Sequence, residues 1–325
     1  MLDAAISSHA PAQPAAIDGG RAAAPPRGLE AVAFEAVGKS FGATLALHDV
    51  NLAIPAGQTV ALLGRNGAGK STAINVMLGL LTASSGSVRT LGLDPRAAIA
   101  AGRVGSMLQS AGLPAGAAVG ELVELARALY PHPLGRDDVL ERAGLASLAR
   151  RRVETLSGGE LQRVRFALAI AGDPDLIFLD EPTVAMDVES RRAFWDDMRR
   201  FAAGGRTVLF ATHYLDEADQ VADRILVLER GRLVADGSSA SIKAAVAERR
   251  VRFTLPGADR VAMAAVDGVI GVEIHGDAVA LSSRDADATV RALAGAGVPF
   301  RDIEVAGPSL ERAFLALTGA SPDAA

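Results

Sequence analysis

The sequence contains no cysteine. This absence excludes a disulfide framework, a thiolate metal site and a cysteine nucleophile, although it does not identify a compartment. The chain also lacks any run of about 18 uninterrupted apolar residues, the length that a membrane-spanning helix needs. Its most apolar stretches, LIFL, VLFA and ILVL, are short and bounded by charges or glycine. Such stretches are typical of buried strands in a parallel sheet, so the sequence predicts no transmembrane segment.

Lysine and net positive charge are also scarce. Lys39, Lys70 and Lys243 are the only lysines among 33 basic residues, and 38 acidic residues give a formal net charge of −5. An acidic balance argues against a general nucleic-acid-binding surface, so we expect no nucleic acid partner. The predominance of arginine indicates no function, but it makes a lysine within a motif easier to notice.

The N-terminal segment lacks the features of a secretory signal. Residues 1–28 have no basic n-region and no continuous apolar h-region, and they are rich in alanine, proline and glycine. This composition is a poor match to a signal peptide and favours a disordered leader.

The remainder of the chain changes pattern once. Across residues 29–244, short apolar strands alternate with helical segments, which predicts an α/β domain with a mainly parallel sheet. Residues 245–320 read as strand, helix, two strands, helix, strand and a terminal helix. That is a ferredoxin-like order, so we expect a small α+β accessory domain after the larger one.

A complete phosphate-binding motif follows the strand TVALL. GRNGAGKS, residues 64–71, matches G-x-x-x-x-G-K-[ST] and precedes a helical stretch, which is the context that separates the motif from an ordinary glycine-rich turn. Glycines let backbone N–H groups surround phosphates, and the helix N-terminus favours anions. Lys70 is expected to reach the β- and γ-phosphates and Ser71 to bind Mg²⁺. The predicted nucleotide-binding residues here are Gly64, Arg65, Asn66, Gly67, Ala68, Gly69, Lys70, Ser71 and Thr72.

This motif fixes a nucleoside triphosphate with Mg²⁺ but leaves the class of NTPase open. No N-K-x-D guanine-reading pattern follows it, because the only asparagines are Asn51, Asn66 and Asn75. A Ras-like GTPase is therefore disfavoured.

Two carboxylates stand at the end of the apolar strand in LIFLDEP. Ligands of open α/β sheets bind beyond the carboxyl ends of the strands. Asp180 is therefore predicted to hold Mg²⁺, mostly through water, and Glu181 to act on the attacking water as general base or orienter. Taken alone, the pair is equally compatible with two acids in a solvated turn.

The segment LSGGE, residues 156–160, reads as an unusual helix start. Ser157 suits an N-cap and Glu160 completes a capping box. Gly158 and Gly159 lie between them, although each glycine costs a helix about 0.5–1 kcal/mol relative to alanine. Either the two glycines are incidental or something approaches this backbone closely.

In this order, the motifs resemble those of an ATP-binding cassette (ABC) transporter ATPase over about residues 30–240. GRNGAGKST resembles Walker A, LSGGE the ABC signature, which is the most specific mark, and LIFLDEP Walker B. Gln109 in MLQS resembles the Q-loop glutamine and His213 in ATHYLDEAD the switch histidine. Asp187 in TVAMD resembles the D-loop aspartate. Phe41 in KSFGA occupies the place of an adenine-stacking aromatic, although a phenylalanine in such a strand-rich segment is often a core residue.

The resemblance implies a P-loop NTPase cassette with a mainly parallel sheet, an antiparallel β-subdomain and a helical signature subdomain. It implies ATP hydrolysis at two sites shared by two cassettes, in a homodimer or a heterodimer. Glu181, His213, Lys70 and Gln109 are the expected catalytic residues, with Gln109 also contacting the metal. In each site, the segment Ser157–Glu160 of one cassette is expected to meet the nucleotide held by the other. Under this reading the expected ligands of the nucleotide outside the phosphate loop are Phe41, Ser157, Gly158, Gly159, Glu160 and Asp187.

Two positions depart from the family pattern. The D-loop has Ala185 and Met186 before its aspartate, where a glycine and a leucine are common, and Phe41 replaces the more usual tyrosine. Because Lys70, Asp180 and Glu181 are all present, the resemblance still implies an active ATPase.

Three stretches resemble the bacterial drug- and antibiotic-exporter branch of the family: THYLDEAD, RFALAIAGDPDLIFLDEPT and PSLERAFLALTG. This branch implies a separate transmembrane permease that docks near residues 110–150, and a cargo that never contacts this chain. The ATPase is then peripheral at the cytoplasmic face of the membrane and soluble in isolation. Two alternatives stay open: the ATPase of a polysaccharide or lipid exporter, and a soluble ABC protein of translation or DNA repair. The latter usually carries two cassettes or a long coiled-coil insertion, neither of which is in this sequence.

Overall fold

The computed structural model describes residues 29–108, 112–244 and 249–319. The strands are β1 (Glu30–Phe41), β2 (Thr44–Pro55), β3 (Thr59–Leu63), β4 (Ser85–Thr90), β5 (Val104–Met107), β6 (Leu176–Asp180), β7 (Thr207–Ala211), β8 (Arg224–Glu229), β9 (Arg232–Gly237), β10 (Arg249–Thr254), β11 (Val269–His275), β12 (Ala278–Ser283) and β13 (Arg301–Ala306). The α-helices are α1 (Lys70–Met77), α2 (Pro95–Ala100), α3 (Val119–Arg127), α4 (Arg136–Arg142), α5 (Gly158–Ile170), α6 (Val188–Ala202), α7 (Leu215–Val221), α8 (Ser239–Ala244), α9 (Arg260–Ala264), α10 (Ala286–Gly295) and α11 (Leu310–Thr318).

The central sheet has six strands in the order β5-β6-β7-β3-β8-β9. Its pairings are parallel except for the last, β8 with β9, which is antiparallel. Every residue of β3, β6 and β7 is buried, as expected for continuous apolar strands covered on both faces. The predicted mainly parallel sheet is confirmed. Strand β3 leads into the phosphate loop and β6 ends at the acidic pair, and the carboxyl ends of both strands point toward the same edge of the sheet.

A second, antiparallel sheet has the order β2-β1-β4 and matches the expected β-subdomain. Alternate residues of β1, such as Val32 and Phe34, enter the apolar core that this sheet shares with α1. The helical segment α3 to α5 packs mainly into the core on the other side of the central sheet. Helix α5 is buried around most of its circumference.

The C-terminal strands form an antiparallel sheet in the order β11-β12-β10-β13. Strands β11 and β12 make a hairpin across Gly276 and Asp277, and the elements of this region follow the predicted ferredoxin-like order. This sheet has a separate core that includes Val251, Leu281 and Leu293. Together with the cassette sheets, it confirms the predicted fold class.

The terminal helix α11 does not join that separate core. Leu310 and Ala313 are buried in the cassette core instead, and α11 contacts α7, α8 and β9. The helix therefore returns from the C-terminal sheet to the cassette. The boundary placed between residues 244 and 245, and the leader at residues 1–28, which lies outside the described residues, stay predictions.

None of the helices in the described ranges is long and apolar enough to cross a membrane.

Candidate functional site

The phosphate loop connects β3 to α1 through a backbone that requires glycine. Gly69 is the N-cap of α1 and has a φ of 106°, a value that only glycine adopts readily. A Cβ at this position would lie 2.7 Å from the carbonyl oxygen of Ala46. The N-cap of α1 makes no side-chain capping hydrogen bond, so no capping side chain competes for the N–H groups of the first turn, where an anion would bind.

Lys70 lies across this loop. Its Nζ donates hydrogen bonds to the carbonyl oxygen of Gly64, at 2.6 Å, and to that of Arg65, at 3.3 Å. Burial lowers the pKa of Lys70, and the nearby charges of Glu181 and Asp180 oppose that effect. The partly buried ammonium is thus held against the loop and faces the two carboxylates of the Walker B strand.

Asp180 ends β6 beside the start of α1. The hydroxyl of Ser71 donates to Asp180 Oδ2 over 3.5 Å. Burial raises the pKa of Asp180, while Lys70 and the hydrogen bond from Ser71 oppose the rise. The structure therefore brings together Ser71 and Asp180, two of the three residues that were expected to contact the metal.

Glu181 and His213 form a close polar pair in the site. Glu181 Oε2 lies 2.6 Å from His213 Nδ1. Glu181 has a left-handed φ of 52°, and its backbone N–H donates to the carbonyl oxygen of Ala211 at the end of β7. Burial raises the pKa of Glu181, and His213 opposes the rise. The strained turn at the end of β6 directs Glu181 toward His213, two residues beyond the end of β7.

The signature segment has the capping box that its sequence predicts. Ser157 Oγ accepts from the N–H of Glu160 at 3.2 Å, and the Glu160 carboxylate accepts from the N–H of Ser157 at 2.7 Å. The cap occupies the third N–H of α5, so those of Gly158 and Gly159 remain for other partners. Ser157 and Gly158 are exposed.

Within the chain, the signature glycines face the D-loop. A Cβ on Gly158 would lie 3.0 Å from the Cβ of Ala185, whereas one on Gly159 would be 3.6 Å from Met186 Cγ, an ordinary contact. Ala185 has a φ of 64°, which is unfavourable for a residue with a Cβ. The two D-loop residues that depart from the family pattern are therefore those that pack against the signature.

Asp187 caps the helix that follows the D-loop. Its carboxylate accepts from the N–H of Ser190 at 2.7 Å and from the Ser190 hydroxyl at 3.0 Å. The hydrogen bond from the Ser190 N–H is the main cause of a lowered pKa at Asp187. Its side chain is exposed, so the ionised carboxylate caps α6 at the protein surface.

Of the predicted contacts Phe41 and Gln109, the structure describes only Phe41. Phe41 is 48% exposed at the end of β1, and Lys39 Nζ lies 5.1 Å from its ring centroid. It is therefore a partly exposed residue and not a core residue, and the adenine contact stays a prediction. Gln109 lies outside the described residues.

Sequence patterns did not identify a set of buried polar groups behind the site. Glu217 accepts hydrogen bonds from Thr183 and Thr212, and the Gln162 amide donates to the carbonyl oxygen of Val184. These residues belong to no motif with a chemical signature of its own. Glu217 is one of three acids in LDEAD, and only its burial in the fold distinguishes it from its neighbours.

Comparison with known proteins places these features in one family. The family profile described as ABC transporter matches residues 47–184. The daunorubicin resistance ATP-binding protein DrrA3 of Streptomyces coeruleorubidus is 35% identical, over 89% of this chain and 96% of its own. The Nod factor export ATP-binding protein I of Paraburkholderia xenovorans (strain LB400) is 34% identical, over 65% of this chain and 72% of its own.

Solved structures agree. A nucleotide-free ATP-binding cassette from an ABC transporter superposes with a TM-score of 0.60 at 25% identity, over 66% of this chain and 94% of its own. A dimeric cassette in a post-hydrolysis state, bound to ADP and Pi, superposes with a TM-score of 0.58 at 27% identity, over 64% of this chain and 98% of its own. The chain belongs to the ABC transporter family, as an ATP-binding subunit that hydrolyses ATP.

Proposed function

We propose that this ATPase powers the export of a drug-like or other small amphipathic compound through a separate membrane subunit. The likeness to the daunorubicin resistance protein supports this cargo class, because it covers 89% of the chain. Residues 1–244 are a smaller share of the chain than this, so the likeness extends into the C-terminal sheet. One observation supports the proposed ATPase site most directly: a linked set of ionisable side chains lies at one sheet edge, and it consists of Lys70, Asp180, Glu181 and His213.

A different cargo is the second candidate. The Nod factor export proteins are similar to 65% of this chain, a share close to that of the cassette alone. They favour the same ATPase chemistry with a different cargo, and the ATPase of a polysaccharide or lipid exporter stays the alternative. Because we propose that the cargo does not touch this chain, the choice depends on the membrane partner.

In the proposed reaction, the loop between Gly64 and Ser71 holds the phosphates of ATP and Lys70 contacts the β- and γ-phosphates. Ser71 and Asp180 supply hard oxygen donors of the kind that Mg²⁺ binds together with water and phosphate oxygens. When bound there, Mg²⁺ would neutralise charge on the phosphates. Glu181 takes a proton from the attacking water or orients it, and His213 holds Glu181 and contacts the γ-phosphate. Gln109 is assigned a metal and water contact.

We further assign Ser157–Glu160 and Asp187 to the nucleotide held by a second cassette, in a homodimer or heterodimer. ATP binding then closes the dimer and hydrolysis opens it, which drives the membrane subunit between inward- and outward-facing states. This arrangement keeps the subunit peripheral, at the cytoplasmic face of the membrane. The C-terminal sheet is proposed to regulate or stabilise the dimer.

Affinity capture from membranes tests the transport role. Full-length chain is used as bait with the host membrane fraction, and bound proteins are identified by mass spectrometry. We expect a permease with several membrane spans, and its expression with this chain should lower cellular accumulation of an amphipathic dye. Capture of ribosomal or DNA-repair proteins without a membrane protein would contradict the proposal.

A further inference from the structure

Glu217 is a buried carboxylate that the ATPase motifs do not explain. It lies in the first turn of α7 and is only 5% exposed. Its neighbour Asp216 is exposed and Asp219 is half-buried. A buried carboxylate is costly unless hydrogen bonds and opposite charge compensate it, so the contacts of Glu217 indicate what it stabilises.

Two of those contacts join the two catalytic loops. Thr183 Oγ1 donates to Glu217 Oε1 at 2.5 Å, and Thr212 Oγ1 donates to Oε2 at 3.1 Å. Thr183 lies two residues after Glu181, and Thr212 immediately precedes His213. Both threonines are 1% exposed. One carboxylate therefore holds the backbone on either side of the contact between Glu181 and His213.

The third contact reaches the helix after the D-loop. Arg191 Nε lies 3.3 Å from Glu217 Oε1, and the Arg191 guanidinium stacks over the ring of Tyr214 at 4.2 Å. The Tyr214 ring centroid is 4.0 Å from that of His213. The backbone N–H of Arg191 donates to the carbonyl oxygen of Asp187. A chain of direct contacts thus runs from the D-loop to the switch histidine.

We propose that Glu217 is a positioning residue for ATP hydrolysis, which fixes Glu181 and His213 relative to each other and links both to the D-loop through Arg191. The inference rests on the proposed roles of Glu181 and His213. Glu181 needs such support because its left-handed backbone is strained, and strain of this kind persists only where surrounding contacts hold it. Glu217 itself touches none of the reacting atoms.

The test uses the full-length chain with Mg-ATP. Glu217→Gln keeps the size of the side chain but replaces an acceptor oxygen with a donor that faces a hydroxyl or Arg191. We expect kcat to fall by about 10- to 100-fold, with KM for ATP changed by less than about twofold, because small misplacement of catalytic groups is costly. Thr183→Val, which is nearly isosteric, should lower kcat in the same way, whereas Thr183→Ser should restore it.

A second measurement separates positioning from general destabilisation. The imidazole resonance of His213 is assigned among the five histidines by comparison with His213→Ala, and is followed by NMR in the apo protein. Glu217→Gln and Thr183→Val should both shift it. Asp219→Asn is the matched control on the same helix, since it removes the surface pair with Lys243 and should leave kcat and this resonance unchanged.

The outcomes test two claims separately: the positioning role of Glu217, and the proposed roles of Glu181 and His213 in ATP hydrolysis. Wild-type kcat in Glu217→Gln and Thr183→Val, or a lower kcat with an unmoved His213 resonance, would overturn the positioning role. Should Glu217→Gln fail to fold, the Thr183→Val and Thr183→Ser pair tests the same role through the other side of the hydrogen bond. Wild-type kcat in both His213→Ala and Glu181→Gln would instead contradict the proposed function, whatever Glu217 does.

Discussion

Two helices of the candidate site, α1 and α5, begin beside glycines, and they differ in what completes them. The N-terminus of α1 has no side-chain cap, and Lys70 and Ser71 link it within the chain to Asp180 and the other carboxylate of the Walker B strand. The N-terminus of α5 has a full capping box, and its glycines face the D-loop while Ser157 is exposed. The first is ready for a phosphate with groups from its own chain. The second is complete as a helix start within the monomer, and its exposed residues Ser157 and Gly158 leave a surface that a ligand or a second chain can contact.

This difference shows that a glycine at a helix start can have two causes. At Gly69 both the positive φ and the approach of Ala46 demand glycine within the monomer. At Gly158 the D-loop leaves little room for a Cβ, but at Gly159 the monomer leaves ordinary room. Folding of one chain therefore accounts for Gly158 and leaves Gly159 to be explained by a ligand or partner.

The largest expected effects are on the α1 side, where Lys70→Ala tests nucleotide binding and Glu181→Gln tests catalysis. Lys70→Ala removes the ammonium that crosses the phosphate loop, and ATP affinity should fall by about tenfold or more, a loss of about 1.4 kcal/mol or more. Isothermal titration calorimetry measures it, with Lys243→Ala as the control because Lys243 pairs with Asp219 on other elements. Unchanged affinity in Lys70→Ala would refute the phosphate-loop assignment.

Glu181→Gln tests the catalytic part of the same site. It keeps the shape but removes the base, so kcat should fall by about 100-fold or more. ATP binding persists, and an ATP-bound dimer should accumulate in saturating Mg-ATP. Light scattering gives the mass, and a monomer under these conditions would count against the role of Glu181.

Gly159→Asp tests the α5 side and should separate folding from dimerisation. Its Cβ meets only an ordinary contact with Met186, so the variant should fold and bind ATP nearly as wild type does. The added carboxylate would repel a phosphate at a helix N-terminus, so ATP-driven dimerisation of the Glu181→Gln background should be lost in analytical ultracentrifugation.

Gly158→Ala is the matched contrast. Its Cβ lies 3.0 Å from Ala185, so it should lower the free energy of unfolding of the monomer, by about 1–3 kcal/mol if the D-loop must move. For the preceding variant, ATP-driven dimerisation that persists in Gly159→Asp would show that Gly159 is incidental.

The smallest expected effect is the pH dependence of stability. Burial raises the pKa of Asp180 above its ordinary value of 3.8, so its favourable contribution is complete below that pH and is lost as pH rises through the native pKa. Asp180→Asn should therefore gain stability over wild type as pH increases from about 4 to 7. Urea unfolding at several pH values measures the difference.

Asp219→Asn should show the opposite sign. Burial alone would raise the pKa of Asp219, but hydrogen bonds from Lys243 and Ser239 outweigh it and lower that pKa. Its stabilisation is therefore present above the unfolded pKa and is lost as pH falls through the native one. The variant should be less stable than wild type at neutral pH and equal to it in acid. The same trend for both variants would contradict the assigned environments.

The sequence predicted the parts of the site that short motifs define. Local spacing defines three of these parts, so their local geometry follows from residue order: the loop at Gly64–Ser71, the acids at the end of β6 and the capping box at Ser157. Glu217, Thr183 and Arg191 were missed because their contacts join residues far apart in the chain, and no local pattern marks a carboxylate as buried. The return of α11 to the cassette was missed for the same reason, because the apolar pattern of α11 does not show which of the two cores buries Leu310 and Ala313.

The central claim is that the α5 start completes the α1 site of a second chain. Because the sequence has no cysteine, single labels can be introduced at Arg230→Cys, an exposed position beside the phosphate loop, and at Thr155→Cys, an exposed position before the signature. The two singly spin-labelled chains, both in the Glu181→Gln background, are mixed, and double electron–electron resonance measures the distance between chains. We expect Mg-ATP to produce a short distance between labels 230 and 155 of different chains, and we expect the same label pair in Gly159→Asp chains not to show it. An ATP-bound dimer in which those labels stay far apart would contradict it.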